Sequence, residues 1–310
     1  MPLTAEERCA SITRLPPEKW ESYSPFLLGN DTPLTNEQVV AHKINKNFAL
    51  VGTALFRSID IACQLAHDEN VFPTVIIVDN SKEVSEAWSK IKRFFSEKEE
   101  EEDHAEDIMD FSMDELTDVI ITSAVGSMIQ GIDPPQFFEN FFNRYSLAYI
   151  QRVIAEVVVI EQDWGDTNTF KAIQEAFKTI PIAVYASNIP SYVPSEAQPG
   201  VLASIAALKP CVTFCTNFHE VKRKPTASYV FLDSSPHVIA NELGLSFEVE
   251  AITQKNLTEK NTSSVDRLPV TNDETSDLKD REPKEQFKRR LEAITGAESK
   301  ENIKPKIEPK

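Results

Sequence analysis

Between residues 48 and 187 the chain repeats one kind of segment: a short run of apolar, largely β-branched residues. The runs are "FALVG" (48–52), "TVIIVD" (74–79), "DVIITSA" (118–124), "AEVVVIEQ" (155–162) and "IAVYAS" (182–187). None of them alternates strictly between apolar and polar residues. Strands that are apolar on both faces belong in a parallel sheet covered above and below. The segments between them include "TALFRSIDIACQLA", "SKEVSEAWSKIKRFF", "PPQFFENFFNRYSLAYIQRVI" and "TNTFKAIQEAF". Their apolar residues recur three and four apart, the spacing of an amphipathic helix. Strand and helix alternating in this way predict an α/β domain with a doubly wound sheet.

Two later runs break the rhythm. "CVTFCTNF" (211–218) and "SYVFLD" (228–233) are joined by "HEVKRKPTA", which is too short for a crossover helix. They read as an antiparallel hairpin at the end of the sheet. The expected architecture is a three-layer sandwich around a mostly parallel seven-stranded sheet that ends in this hairpin.

Composition divides the chain further. Residues 1–46 read as a helical lead-in: "LTAEERCASITRL" has acids early and Arg14 late, as the helix dipole favours, and Thr35 is placed to cap "NEQVVAHKI". Residues 47–252 form the α/β domain. From 253 to 310 the chain is polar and charged, with too little apolar surface to offset its ordering entropy, and is expected to be disordered. The segment 96–118, "SEKEEEEDHAEDIMDFSMDELTD", carries twelve acids against one lysine. It reads as a solvated insertion, or as a docking surface for a basic partner, since apolar residues lie among its acids.

With 49 acidic and 32 basic side chains, the net charge is −17. Such a field repels bare nucleic acid and anionic membranes. No run approaches the roughly 18 apolar residues of a membrane span. "MPLTAEERCASITRL" lacks the basic-then-apolar order of a secretory leader. The four cysteines, Cys9, Cys63, Cys211 and Cys215, have no disulfide-framework spacing. These features suit a reduced, cytoplasmic protein; the charged tail would also suit an effector secreted into a host cell.

In open parallel sheets, ligands sit beyond the carboxyl ends of the strands, where the strand order reverses. Those ends are Gly52–Thr53, Asp79–Asn80, Ser123–Ala124, Gln162–Asp163–Trp164 and Ser187–Asn188. Gly52 would let backbone amides approach a ligand, although a strand turning into a helix also needs glycine on geometric grounds. Asp79 closes the second strand, where an acid can accept hydrogen bonds from the two hydroxyls of an adenosine ribose. It follows Gly52 by 27 positions, against a usual spacing of roughly 20, and the loop "HDENVF" absorbs the excess.

On "FALVG", "VIIVDNS", "IITSAVGS", "VVVIEQDWGD", "VYASNIP" and the final pair of runs, the chain resembles the class I S-adenosylmethionine-dependent methyltransferases. The resemblance covers about 48–233, and the acid closing the second strand is its most specific point. "VDNS" and "ASNIPSYV" also resemble motifs of the branch that transfers the aminocarboxypropyl group of the same cofactor. The family's glycine-rich first loop is reduced here to Gly52. Its Asn/Asp-Pro-Pro-aromatic tetrapeptide is replaced by "EQDWGD".

The resemblance implies S-adenosylmethionine as cofactor. Gly52 and Thr53 would pass its methionine part, and Arg57 would pair with its carboxylate; a surface arginine is the structural alternative. Asp79 would hold the ribose, with Asn80, Ser123 and Ala124 beside the adenine. Asp163 and Trp164 would face the reacting centre, Asp163 as base and Trp164 as a hydrophobic wall, and Asn188 would contact the acceptor, whose identity the sequence does not give. Methyl transfer is an in-line displacement that needs positioning more than covalent chemistry.

A second reading is a non-catalytic interaction protein that keeps the fold without the chemistry. A nicotinamide-dependent oxidoreductase fits less well, since Gly-x-Gly-x-x-Gly is absent and the terminal hairpin is present. Cys211, Cys215 and His219 would spread over about 26 Å of strand at roughly 3.3 Å per residue, so they read as core cysteines rather than zinc ligands. "QFFENFFNRYSLAY" reads as helix core, with a lid or dimer face as its alternative.

Overall fold

The computed structural model describes residues 3–22, 34–53, 55–97, 134–216 and 227–245. Six strands form one sheet: β1 (Phe48–Gly52), β2 (Pro73–Asp79), β3 (Val158–Glu161), β4 (Ile182–Ser187), β5 (Val212–Thr216) and β6 (Ser228–Phe231). Their spatial order is β3-β2-β1-β4-β5-β6. The first five are parallel, and β6 pairs antiparallel with β5, Phe214 opposite Val230. The terminal antiparallel pair is therefore as expected. The expected strand at 118–124 lies outside the described residues, as do the joining segment 217–226, the acidic stretch from 98 onward and everything beyond 245.

The helices are α1 (Ala5–Cys9), α2 (Asn36–Val40), α3 (Phe56–Leu65), α4 (Lys82–Glu97), α5 (Pro134–Arg144), α6 (Leu147–Ala155), α7 (Thr167–Ala176), α8 (Ile189–Tyr192), α9 (Gln198–Ala207) and α10 (Pro236–Leu243). Capping boxes start α1 at Thr4 and α2 at Thr35. The aromatic-rich segment is two helices rather than one. Ser146 breaks it, because it adopts extended backbone and its hydroxyl caps α6 through Tyr149 N. Because α6 runs to Ala155, β3 begins three residues later than its apolar run.

Alternation along each strand divides the core in two. Phe48 and Leu50 of β1, with Val75 and Ile77 of β2, meet Phe56, Trp88, Phe138, Phe141 and Ile150 on one face. Ala49, Val51, Ile76 and Val78 meet Phe170, Ile173, Leu202 and Ile239 on the other. Helices thus cover both faces, which is why these strands are apolar throughout.

One helix departs from the amphipathic expectation. Every residue of α3 is buried, including Arg57, Ser58, Asp60 and Gln64. The outward side of α3 packs against α2. Its polar residues therefore bond to one another and to neighbouring elements instead of to water.

Candidate functional site

The strand order reverses between β1 and β4, so the carboxyl ends of those strands define the crevice where a ligand of such a sheet would lie. At the β1 end, Thr53 Oγ1 donates to Asp79 Oδ2 at 2.9 Å. Asp79 Oδ1 accepts from Ser81 N at 3.0 Å. Asp79 is 6 % exposed. The acid at the end of β2 is thus fixed in one orientation and tied to the end of β1. Thr53 as its partner carries no sequence signal, because the contact spans 26 positions.

Gly52 is buried, and its open side is already filled. A Cβ placed there would lie 2.6 Å from Ser58 Oγ and 3.2 Å from Ser58 Cβ. Ser58, in the first turn of α3, donates to Thr53 O at 2.6 Å. The close approach that Gly52 permits is that of this serine. Arg57 is 6 % exposed, not a surface arginine. One guanidinium nitrogen pairs with Asp60 and the other donates to Leu34 O at 2.8 Å.

At the β4 end, Ser187 has φ 52°, in the left-handed region. Ser and Lys at positive φ occur at two described positions, Ser187 and Lys209. Lys209 follows the end of α9 and donates its N–H back to Ala206 O, as a helix terminus does. Ser187 instead ends a strand at the reversal point, beside a register shift in the β4–β5 pairing. Strained backbone of this kind costs of order 1–3 kcal/mol and clusters at functional sites. Asn188, buried next to it, starts α8 and accepts from Ser191 N and Tyr192 N through its carbonyl.

Beyond β3, Asp163 is exposed, and its Oδ1 accepts from Gly165 N at 2.6 Å. Trp164 is buried against Phe170, and its Nε1 donates to Val78 O at 2.7 Å. Asn80 is half-buried beside Asp79. Ser123 and Ala124 lie outside the described residues.

An N-terminal strap also reaches this end of the sheet. The N-terminal segment 13–22 lies along the ends of β2 and β3. Leu15 N donates to Glu161 O at 2.7 Å, and Glu21 N to Asn80 O at 2.9 Å. Lys82 N donates back to Glu21 O at 3.1 Å. Arg14 Nη1 reaches the buried Glu161 Oε2 at 3.0 Å, while Ser85 Oγ donates to Glu161 Oε1 at 2.7 Å. Arg14 therefore anchors the strap rather than the C-terminus of α1, which ends at Cys9. Its proximity to Glu161 bridges 147 positions, a separation no local pattern reveals.

Cys215 is buried in β5, as expected of a core cysteine, but Cys211 precedes the strand and is exposed. Burial pushes the Cys9 thiol up to about 12, helped by Glu6. His219 lies outside the described residues. Among the described residues, no group of three or more His, Cys, Asp and Glu could hold a metal ion, and no helix is long and apolar enough to cross a membrane. No protein-family model matches the chain, and no curated protein matches it.

Proposed function

We propose that the crevice at the β1/β4 reversal, bordered by the end of β2, binds a nucleoside-containing cofactor, and that the chain is a divergent Rossmann-like transferase using S-adenosylmethionine, most simply a methyltransferase. The observation that carries this reading is the Thr53–Asp79 hydrogen bond, which holds a buried carboxylate at the strand end where a ribose would be bound. Thr53 and Ser81 together fix this carboxylate at the edge of the crevice. The strained Ser187 across the reversal supports the same location.

The residues fit the two halves of the cofactor unequally. Asp79 suits the ribose. Gly52 and Arg57 do not suit the methionine half, because Ser58 fills the space at Gly52 and Arg57 is spent on Asp60 and Leu34. When bound, the cofactor would supply an electrophilic carbon. On the protein side, Asp163 is the accessible carboxylate able to take an acceptor proton. Trp164 serves as a wall, since its one N–H is given to Val78 O. Asn188 lines the β4 side.

A specific observation favours the second reading, a non-catalytic interaction protein. Ser58 and the 13–22 strap bond over the ends of β1, β2 and β3 where a cofactor would enter. In that reading the acidic segment 96–118 is the place for a basic partner.

Calorimetric titration of the full chain with S-adenosylmethionine, S-adenosylhomocysteine and NAD separates the two. The transferase reading expects a Kd of about 1 μM for the sulfur compounds, corresponding to roughly −8 kcal/mol, and none for NAD. In Asp79→Asn, which retains an acceptor for Thr53, the affinity should fall at least tenfold. Folded protein that binds neither sulfur compound leaves the interaction reading standing.

A further inference from the structure

Asp79 stands where a ribose would be held, yet it is only 6 % exposed. A ligand that reaches its carboxylate needs an element of the protein to move. The first turn of α3 and the strap 13–22 both bond at these strand ends, and they are held very differently. Every residue of α3 is buried, so its first turn moves only with the core. In the strap no residue is buried: Leu15 and Trp20 are half-buried, and the other eight are exposed.

The strap is held by hydrogen bonds and one ion pair. At its first end Leu15 N donates to Glu161 O at 2.7 Å, Gln162 Nε2 donates to Thr13 O at 3.4 Å, and Arg14 pairs with the buried Glu161 at 3.0 Å. At its second end Glu21 N donates to Asn80 O, Lys82 N donates to Glu21 O, and Ser22 Oγ donates to Glu83 Oε1. This second end thus binds the turn that directly follows Asp79. Between the two ends the strap closes on itself, with a single 3-10 turn at Pro17–Lys19 and a bond of 2.9 Å from Trp20 Nε1 to Leu15 O. Hydrogen bonds open to water add little net stability, so a segment held by them separates at lower free energy than a packed core. The apolar grip lies upstream. Ala5, Cys9 and Ile12 are buried in the same cluster as Phe170 and Ile173, which fixes α1 independently of the strap.

We infer that the strap 13–22 is an autoinhibitory lid on the Asp79 site, latched by Arg14 on Glu161 and by Glu21 on Asn80, and that a nucleoside ligand displaces it; this rests on the reading of Asp79 as the acid that holds a ribose. A lid that is closed most of the time lowers the apparent affinity by the fraction of time it is open.

Two unlatched variants of the full chain, Arg14→Gln and Glu21→Pro, test it. Trp20 has φ −69° and ψ 138°, the extended backbone that a following proline requires, so Glu21→Pro deletes the bond to Asn80 and leaves Arg14 in place. Calorimetry with S-adenosylmethionine should show both variants binding at least about tenfold more tightly than the native chain. Amide hydrogen exchange of the native chain gives a second readout. The Leu15 and Glu21 amides should exchange at least about tenfold faster than that of Ile76 in β2, because the strap opens without unfolding the sheet. Saturating S-adenosylmethionine, which holds the strap open, should speed them further.

Equal affinity in the native chain and the folded variants would overturn the lid and leave the reading of Asp79 standing. So would strap amides that exchange as slowly as Ile76, or that slow on binding, which would mean that the strap closes over the ligand. No binding by the native chain or by either variant would overturn the reading of Asp79, and the lid with it. The exchange measurements use the native chain, so they decide the matter even if a variant does not fold.

Discussion

The two ends of α3 handle buried polar groups in opposite ways. At the first turn, Ser58 fills the space beside Gly52 and bonds to Thr53 O, while Arg57 bonds to Asp60 and Leu34 O. At the last turn, Gln64 gives its N–H to Asp60 and leaves its oxygen unmet beside a cavity. The glycine that looked like an opening for a ligand is closed by the chain itself. The glutamine, which looked like one residue of an amphipathic helix, borders open space. A glycine in a strand-to-helix turn thus marks a close approach without saying what approaches.

The largest expected effect is at the closed end. Arg57→Met removes a buried cation from Asp60 and should destabilise by about 3–5 kcal/mol in urea unfolding, the usual cost of breaking a buried pair from one side. A loss below about 1 kcal/mol would mean that Arg144 alone neutralises Asp60. Next comes Gly52→Ala, which drives a methyl into Ser58 and should cost about 1–3 kcal/mol. In a Ser58→Ala background the same change should cost less, with a coupling of about 0.5 kcal/mol or more. Strict additivity would show that Ser58 is not what Gly52 accommodates. The smallest effect belongs to the open end. Gln64→Met loses one bond to Asp60 but also removes an unpaired acceptor, so stability should stay within about 1 kcal/mol of the native chain. A loss of several kcal/mol would mean that the Gln64 oxygen has a partner and that the two ends do not differ.

Much of the sheet was legible because its cause is local. Period-free apolar runs at 48–52, 74–79 and 182–187 correspond closely to β1, β2 and β4, and a connection too short for a helix correctly implied the antiparallel β5–β6 pair. Thr35 was recognisable as a cap because capping depends on neighbouring residues. The candidate site was less legible. Asp79 was found from its strand end, yet its partner Thr53, the Glu161–Arg14 pair and the strap joining Glu21 to Asn80 all span long separations.

By itself the sequence determined an α/β chain with parallel strands covered on both faces, because burial of both strand faces is written into residue type. It also determined which polar residues stand at the strand ends. Only the tertiary structure decided what those residues touch. The burial of α3 turned a helix with four polar side chains into an internal network, since buried polar groups must find partners within the protein. Packing, not propensity, closed the space at Gly52 and left the oxygen of Gln64 buried without a hydrogen-bond partner.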